Sequence, residues 1–181
     1  MADYSNEPTV VFWRKCAEVM LTYLPMVSVR NQWPGDTAKV YREFASTLNS
    51  IPKSNVDCEL LTYVAGMVNL GFSCGNYYDS LALFIQQTQA CNDRAQNSWS
   101  NIVNNIFDEG RGGYRNFLEG AMDVVGSIFE NNSNYNNVQQ FKDALVNEYA
   151  QLQSQFEKLQ QSLDGIVGRL KNQYGEQYFN L

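Results

Sequence analysis

The stretch KVYREFASTLNSIPKSNVD, residues 39–57, decides the fold class. Its apolar side chains recur at the three- and four-residue steps of one helical face, and a proline ends the run: Val40, Phe44, Leu48, Ile51 and Pro52. Asp57 follows the turn and precedes another apolar run, so its carboxylate can cap a second helix. The stretch therefore predicts an amphipathic helix, a turn and a capped helix, and nothing in it indicates catalysis.

The residues before this stretch predict one more helix. It begins near Pro8 and ends at Pro25, with an apolar stripe of Trp13, Cys16, Ala17, Met20 and Leu24. A turn with the sequence NQWPGD follows, in which Pro34 and Gly35 are typical turn residues. Asp36 or Thr37 is the expected N-cap of the helix that comes next.

The residues after the stretch predict further helices. Residues 58–72, CELLTYVAGMVNLGF, are the most apolar part of the chain and the expected centre of a bundle. Residues 73–76 are expected to break this helix, and residues 77–107 form one long helix or two. A helix over residues 114–130 and a polar loop, NNSNYNN, complete this part.

The C-terminal part has a different pattern. Its apolar residues alternate steps of four and three, as in a heptad seam: Leu145, Tyr149, Leu152, Phe156, Leu159, Leu163, Ile166 and Leu170. Such a helix packs on the bundle of its own chain or forms a seam with another chain, and the first arrangement is slightly favoured. We predict an all-α protein with a four-helix-bundle core in residues 1–130 and a long amphipathic helix in residues 138–181.

The composition argues against several kinds of enzyme. The chain of 181 residues has no histidine, so triads and pairs that use an imidazole base are excluded. No phosphate-binding loop or dinucleotide fingerprint occurs. The four cysteines, Cys16, Cys58, Cys74 and Cys91, lack the spacing of a zinc site and are expected to be buried thiols. We expect no enzymatic activity, no cofactor and no metal.

The charge balance favours self-association over broad nucleic-acid binding. Lys and Arg number 13 against 19 Asp and Glu, a net charge of -6, so a basic face is not expected. The many Asn, Gln and Tyr residues can pack against copies of the chain without desolvating charges. No signal peptide and no apolar run of about 18 residues is found, so we expect a cytoplasmic, non-secreted protein without a membrane partner.

Several motifs in residues 1–72 resemble the coat proteins of tobamoviruses, the rigid rod-shaped plant viruses. They are VVFW at 10–13, NQW at 31–33, and AKVYRE at 38–43 followed by Leu48, a Pro-Ser turn and Val56-Asp57. A weaker similarity covers residues 93–118, including RGGY at 111–114. The chain departs from the family at residues 73–76, where SCGN replaces an arginine-rich RNA-contact sequence. It also lacks the β-ribbon before helix three and continues in heptads at its C-terminal end.

The resemblance implies a four-helix bundle whose copies stack into discs or a helix around single-stranded RNA, in virions and in the host cytoplasm. The RNA-contact residues that it implies are Asp93, Arg94 and Arg111. The apolar residues that we expect to serve packing or assembly are Trp13, Trp33, Tyr41, Phe44, Leu152, Phe156 and Leu163.

An alternative comes from another class of protein. Residues 106–110, IFDEG, followed by Arg115, look like part of the motif of Bcl-2-type apoptosis regulators, which bind a partner helix in an apolar groove. The helix that follows should be the buried centre of that fold, yet it carries Asn116, Glu119 and Asp123. A helical interaction module or effector of another kind is the broader form of this alternative.

Overall fold

The structure, a computed structural model, describes residues 2–27, 33–89 and 139–180. These ranges contain four α-helices: α1 (Pro8–Val27), α2 (Pro34–Asn49), α3 (Cys58–Gln89) and α4 (Gln139–Tyr174). A short 3-10 helix, Glu176–Tyr178, follows α4. No strand occurs in the three described ranges, and the predicted all-α class is confirmed.

Helix α3 is the central helix and is continuous where a break was expected. It packs against α2 along one side and against α4 along another, while α1 packs on α2. Two glycines lie where α2 crosses it. A Cβ atom at Gly71 would stand 3.0 Å from Ala45 Cβ, and one at Gly75 would stand 2.9 Å from Arg42 Cγ. The predicted break at residues 73–76 is wrong, because these glycines allow close helix packing instead of a turn.

Helix α1 extends two residues beyond its predicted end. Pro25 lies inside the helix, which ends at Val27. A proline removes one backbone donor, but so near the C-terminal end only one bond of the helical ladder is affected. The predicted stripe is otherwise confirmed, since Trp13, Cys16, Ala17 and Met20 are all buried. The side chain of Leu24 lies outside the described part.

Helix α2 begins earlier than predicted. Pro34 is its first residue and Trp33 its N-cap, with no side-chain hydrogen bond to the free backbone donors. The expectation that Asp36 or Thr37 caps the helix is therefore wrong. Proline suits the first helical position because its missing N–H would have no partner there. Asp36 instead lies in the first turn, where a carboxylate interacts favourably with the helix dipole.

Asp57 joins three helices, and its predicted capping role is confirmed. Its Oδ2 atom accepts a hydrogen bond of 3.1 Å from the Leu60 N–H, at the start of α3. Its own N–H donates to Thr9 Oγ1 in α1 over 3.0 Å. Arg169 of α4 donates to Oδ2 over 2.7 Å, and this bond is the main cause of a lowered Asp57 pKa.

The heptad stripe of α4 packs on α3 of the same chain. Six of its eight residues are buried, and the two half-buried ones are Tyr149 and Leu159. Gly66 of α3 gives Leu159 room, because a Cβ atom at Gly66 would stand 2.6 Å from Leu159 Cδ2. The division into residues 1–130 and 138–181 stays a prediction, because residues 90–138 lie outside the described ranges.

The two ends of the described chain meet. Gly175, with a φ of 129°, ends α4 and turns the chain back, a conformation that favours glycine. The Tyr4 N–H then donates to Tyr178 Oη over 3.0 Å, and the Tyr4 and Tyr174 rings meet edge to face at 5.2 Å. Phe179 lies 6.2 Å from the Trp13 ring. We call Tyr4, Tyr174, Tyr178 and Phe179 the terminal latch.

Candidate assembly surface

Helix α3 is almost free of charge along its whole length. Its 32 residues include two charged side chains, Glu59 near its start and Asp79 in its second half. Glu59 lies 3.6 Å from Arg169 of α4, and Asp79 forms an ion pair with Arg42 of α2. Both carboxylates are therefore partly balanced by arginines of the same chain.

Between these two carboxylates, the solvent side of α3 carries no charge. Its exposed residues follow steps of three and four and so lie on one side of the helix: Thr62, Ala65, Asn69, Phe72 and Asn76. We call these five residues the α3 face. It is about 21 Å long, because Thr62 and Asn76 are separated by 14 helical steps of about 1.5 Å each. Phe72 is the large apolar side chain of this polar stripe and is 38% exposed.

The exposed sides of the other helices carry charges. Asp36, Lys39 and Glu43 are exposed on α2, and Glu157 and Lys158 are exposed on α4. The centre of a protein–protein interface is depleted of charged residues and enriched in aromatic ones. The α3 face has no charged residue and includes the aromatic side chain of Phe72, so its composition can support association.

The two ends of the α3 face differ in their surroundings. At one end, Arg42 Nη2 donates to Asn76 Oδ1 over 3.2 Å as well as to Asp79. At the other end lies an open cleft of about 360 Å³ between α3 and α4, lined by Cys58, Glu59, Thr62, Ser162 and Ile166. Among the described residues, no three potential metal-binding side chains lie together.

The cysteines differ from the expectation in one respect. Cys16 and Cys74 are buried, and burial raises the pKa of the Cys16 thiol to about 12 and that of Cys74 further. Cys58 is exposed, so the expectation that it is buried is wrong. It is the first residue of α3, where the neighbouring α4 leaves the cleft open. Cys91 lies outside the described residues.

The structure places the predicted packing residues inside the chain. Six of them are buried, namely Trp13, Tyr41, Phe44, Leu152, Phe156 and Leu163. Trp33 is half-buried at the start of α2. Asp93, Arg94 and Arg111 lie outside the described residues, as do the residues 106–115 of the alternative motif and the helix predicted over 114–130.

Sequence reasoning missed the α3 face. The signal was present, because residues 60–78 contain no Asp, Glu, Lys or Arg, although exposed helix residues usually include them. The apolar character of this segment was attributed to a buried centre alone. The three- and four-residue spacing of Ala65, Asn69, Phe72 and Asn76 shows that one side remains in solvent.

These features define an all-α protein with a charge-free, partly apolar helix surface. No protein-family model, curated protein or solved structure matches the chain. None of the helices in the described ranges has the length and hydropathy required to cross a membrane.

Proposed function

We propose that this protein is a self-assembling structural protein. The observation that supports this function is the α3 face on a chain with a net charge of -6. Copies of an acidic chain repel one another, so they associate most easily where neither copy presents a carboxylate. The α3 face is such a place.

In its most specific form, the proposal is that this protein is the coat protein of a rod-shaped virus and packs single-stranded RNA. The resemblance of residues 1–72 and 93–118 to tobamovirus coat proteins supports it. A chain with a net charge of -6 can bind RNA only where a few arginines are concentrated, or after many copies have assembled.

Assembly of such a chain should depend on pH. Bringing many acidic subunits together crowds their carboxylates, which raises the pKa of those groups in the assembled state. An acid whose pKa is higher in the assembly favours the assembly as pH falls. The chain has no histidine, so Asp and Glu must carry the transition, at about pH 5 to 7.

Sedimentation velocity and negative-stain electron microscopy at fixed salt test the proposal. We expect small species near pH 8 that give way to discs or rods as pH is lowered through this window. A monodisperse monomer at every pH, at high concentration and with RNA added, would contradict self-assembly. That result would favour the alternative function, a helical module that binds a different protein.

The RNA part of the proposal is tested with Arg94→Ala, and Lys39→Ala is the control. Both changes remove one positive charge, and Lys39, which is exposed on α2, is not among the residues that the resemblance implies for RNA contact. We expect Arg94→Ala assemblies to contain less RNA than those of the parent or of the control, measured by absorbance at 260 and 280 nm. Equal RNA content in all three assemblies would remove Arg94 from the RNA site.

A further inference from the structure

We propose that the terminal latch closes a strap that opens as one unit about the side chain of Tyr178, and that opening uncovers Trp13. The strap has two parts: the arm, residues 2–7, and the tail, residues 175–180. Each part is ordered by its contacts with the other. This conformational device is independent of the proposed self-assembly.

The arm has little structure of its own. It contains no regular helix and no buried residue, and its internal hydrogen bonds span only two or three residues. The hydrogen bonds and ring contacts that join it to described residues distant in sequence all go to Tyr174 and Tyr178. The arm therefore takes its position from the last turn of α4 and from the tail.

The tail is held by few backbone hydrogen bonds. After Gly175 it forms a single 3-10 turn, in which the Tyr178 N–H donates to the Gly175 carbonyl over 3.3 Å and the Phe179 N–H donates to the Glu176 carbonyl over 3.1 Å. Hydrogen bonds of this type have poor geometry, and such turns occur only as short pieces. A segment with so few internal bonds opens at a low free-energy cost unless other contacts hold it.

Tyr178 joins the two parts through one side chain. Its hydroxyl accepts a hydrogen bond from the Tyr4 N–H over 3.0 Å and donates one to the Asp3 carboxylate over 3.2 Å. Its ring centre lies 6.4 Å from that of Tyr4 and 5.4 Å from the guanidinium of Arg14 in α1. The residue is 9% exposed, so water can replace these partners only when the tail moves away. The contacts are therefore made and lost together.

The residue that follows Tyr178 determines what opening uncovers. Phe179 is buried, and its ring lies 6.2 Å from that of Trp13, which is fully buried in α1. A movement that takes Tyr178 off the arm also carries Phe179 away, because the two residues are adjacent in the chain. Opening therefore exposes one side of Trp13, and the closed strap keeps this aromatic surface out of water.

Amide hydrogen exchange, followed by NMR, tests whether the strap is one unit. Tyr178→Phe keeps the ring and removes the hydroxyl, and it should speed exchange of the Tyr4 amide about tenfold or more. The amides of Glu7 and Phe179 should also exchange faster, by a common factor, although their own hydrogen bonds do not involve that hydroxyl. The matched control is Tyr77→Phe in α3. It removes a buried hydroxyl that has no hydrogen-bond partner among the described residues, and it should leave all three rates within about twofold.

Deletions test the mutual dependence of the two parts. Removal of residues 175–181 should speed exchange of the Glu7 amide, and removal of residues 2–7 should speed exchange of the Phe179 amide, because coupling between two parts is reciprocal. A thermal melt of each variant shows whether the helical core is folded. If a deletion unfolds the core, the exchange rates of the full-length Tyr178→Phe chain decide.

Fluorescence tests whether opening uncovers Trp13, in a chain with Trp33→Phe and Trp99→Phe. Removal of residues 2–7 leaves Phe179 in the chain, yet acrylamide should then quench Trp13 more strongly than in the parent. Unchanged quenching in a folded variant would overturn this part of the inference.

Two exchange results would overturn the strap itself. Faster exchange at Tyr4 alone in Tyr178→Phe, with Glu7 and Phe179 unchanged, would show that the contacts do not open together. Protection of the Glu7 amide that survives removal of residues 175–181 would show that the arm is held elsewhere. Self-assembly is measured separately, so its failure and the failure of the strap are distinguishable.

Discussion

Asp57 concentrates several interactions in one carboxylate. It accepts from the Leu60 N–H and from Arg169, while its backbone N–H reaches Thr9. The residue therefore holds the start of α3 to both α1 and α4, and the hydroxyl of buried Thr9 gains a partner. A capping carboxylate could be predicted from the sequence, but the link to Arg169, 112 residues further along, could not.

We expect Asp57→Ala to lower the free energy of unfolding by about 1 to 3 kcal/mol, since it removes both the cap and a charge-assisted bond. Asp57→Asn should cost less, because an amide oxygen can still cap α3. Urea denaturation measures both, and Glu157→Gln, an exposed change on α4, is the control. Equal losses for Asp57→Ala and the control would show that the three-helix link adds nothing.

The same carboxylate predicts a pH dependence of stability. Arg169 holds the pKa of Asp57 below its ordinary value, and the unfolded chain has the ordinary value of about 4. The contribution is therefore complete above about pH 4 and is lost as pH falls through the lowered pKa of the folded state. The stability difference between the parent and Asp57→Asn should shrink in that acidic range.

Cysteine exposure predicts a simple labelling pattern. In a chain with Cys91→Ser, a thiol-reactive dye should label Cys58 quickly under native conditions and leave Cys16 and Cys74 unlabelled. Burial both excludes the reagent and raises the pKa of these two thiols, which keeps them protonated. In urea all three thiols should react. Fast native labelling of more than one thiol, counted by mass spectrometry, would contradict the described core.

At the scale of helices, the sequence predicted the buried stripes correctly but predicted a helix break at a glycine where the helix continues. Helical spacing predicted the buried stripes of α1 and α4 because burial follows periodicity directly. Gly75 lies in residues 73–76, which were interpreted as a break, since glycine lowers helix propensity, whereas Gly71 lies in the segment predicted as helix. The contacts show the opposite role, because Ala45 and Arg42 of α2 occupy the space that side chains would take. Such a contact depends on which helix lies opposite, and the local sequence does not contain that information.

Gly71→Leu should therefore be destabilising, by about 1 to 3 kcal/mol, because the added side chain must displace Ala45 and Phe44. Gly168→Leu is the matched control, since nothing lies within 4 Å of a Cβ atom at that position of α4. The control should be neutral or slightly stabilising, as leucine favours helix more than glycine. Thermal melts of the two variants measure this difference in stability. Equal changes in melting temperature for both substitutions would contradict the close approach of α2 and α3.

At the scale of the whole molecule, α4 contributes an entire side of the described core. Deletion of residues 138–181 should expose the apolar surface that α4 covers on α3, and so lower solubility and the melting temperature. The buried residues of α4 also predict a matched pair of substitutions. Leu152→Asp should destabilise the dilute monomer, whereas Gln151→Asp, at an exposed position, should not.

Circular dichroism and size-exclusion chromatography at low concentration measure these effects. A truncated chain that keeps the size and melting temperature of the parent would show that the heptad stripe has no role in the fold. If Leu152→Asp changed association but not monomer stability, the stripe would serve contacts between chains instead.

The terminal latch holds the first and last described residues close together, because the backbone N–H of Tyr4 donates a hydrogen bond to the side chain of Tyr178. An epitope tag on either end would therefore emerge from the same spot on the surface. Antibodies against an N-terminal tag and against a C-terminal tag would decorate the same line along any polymer of this protein, and each antibody would hinder the other.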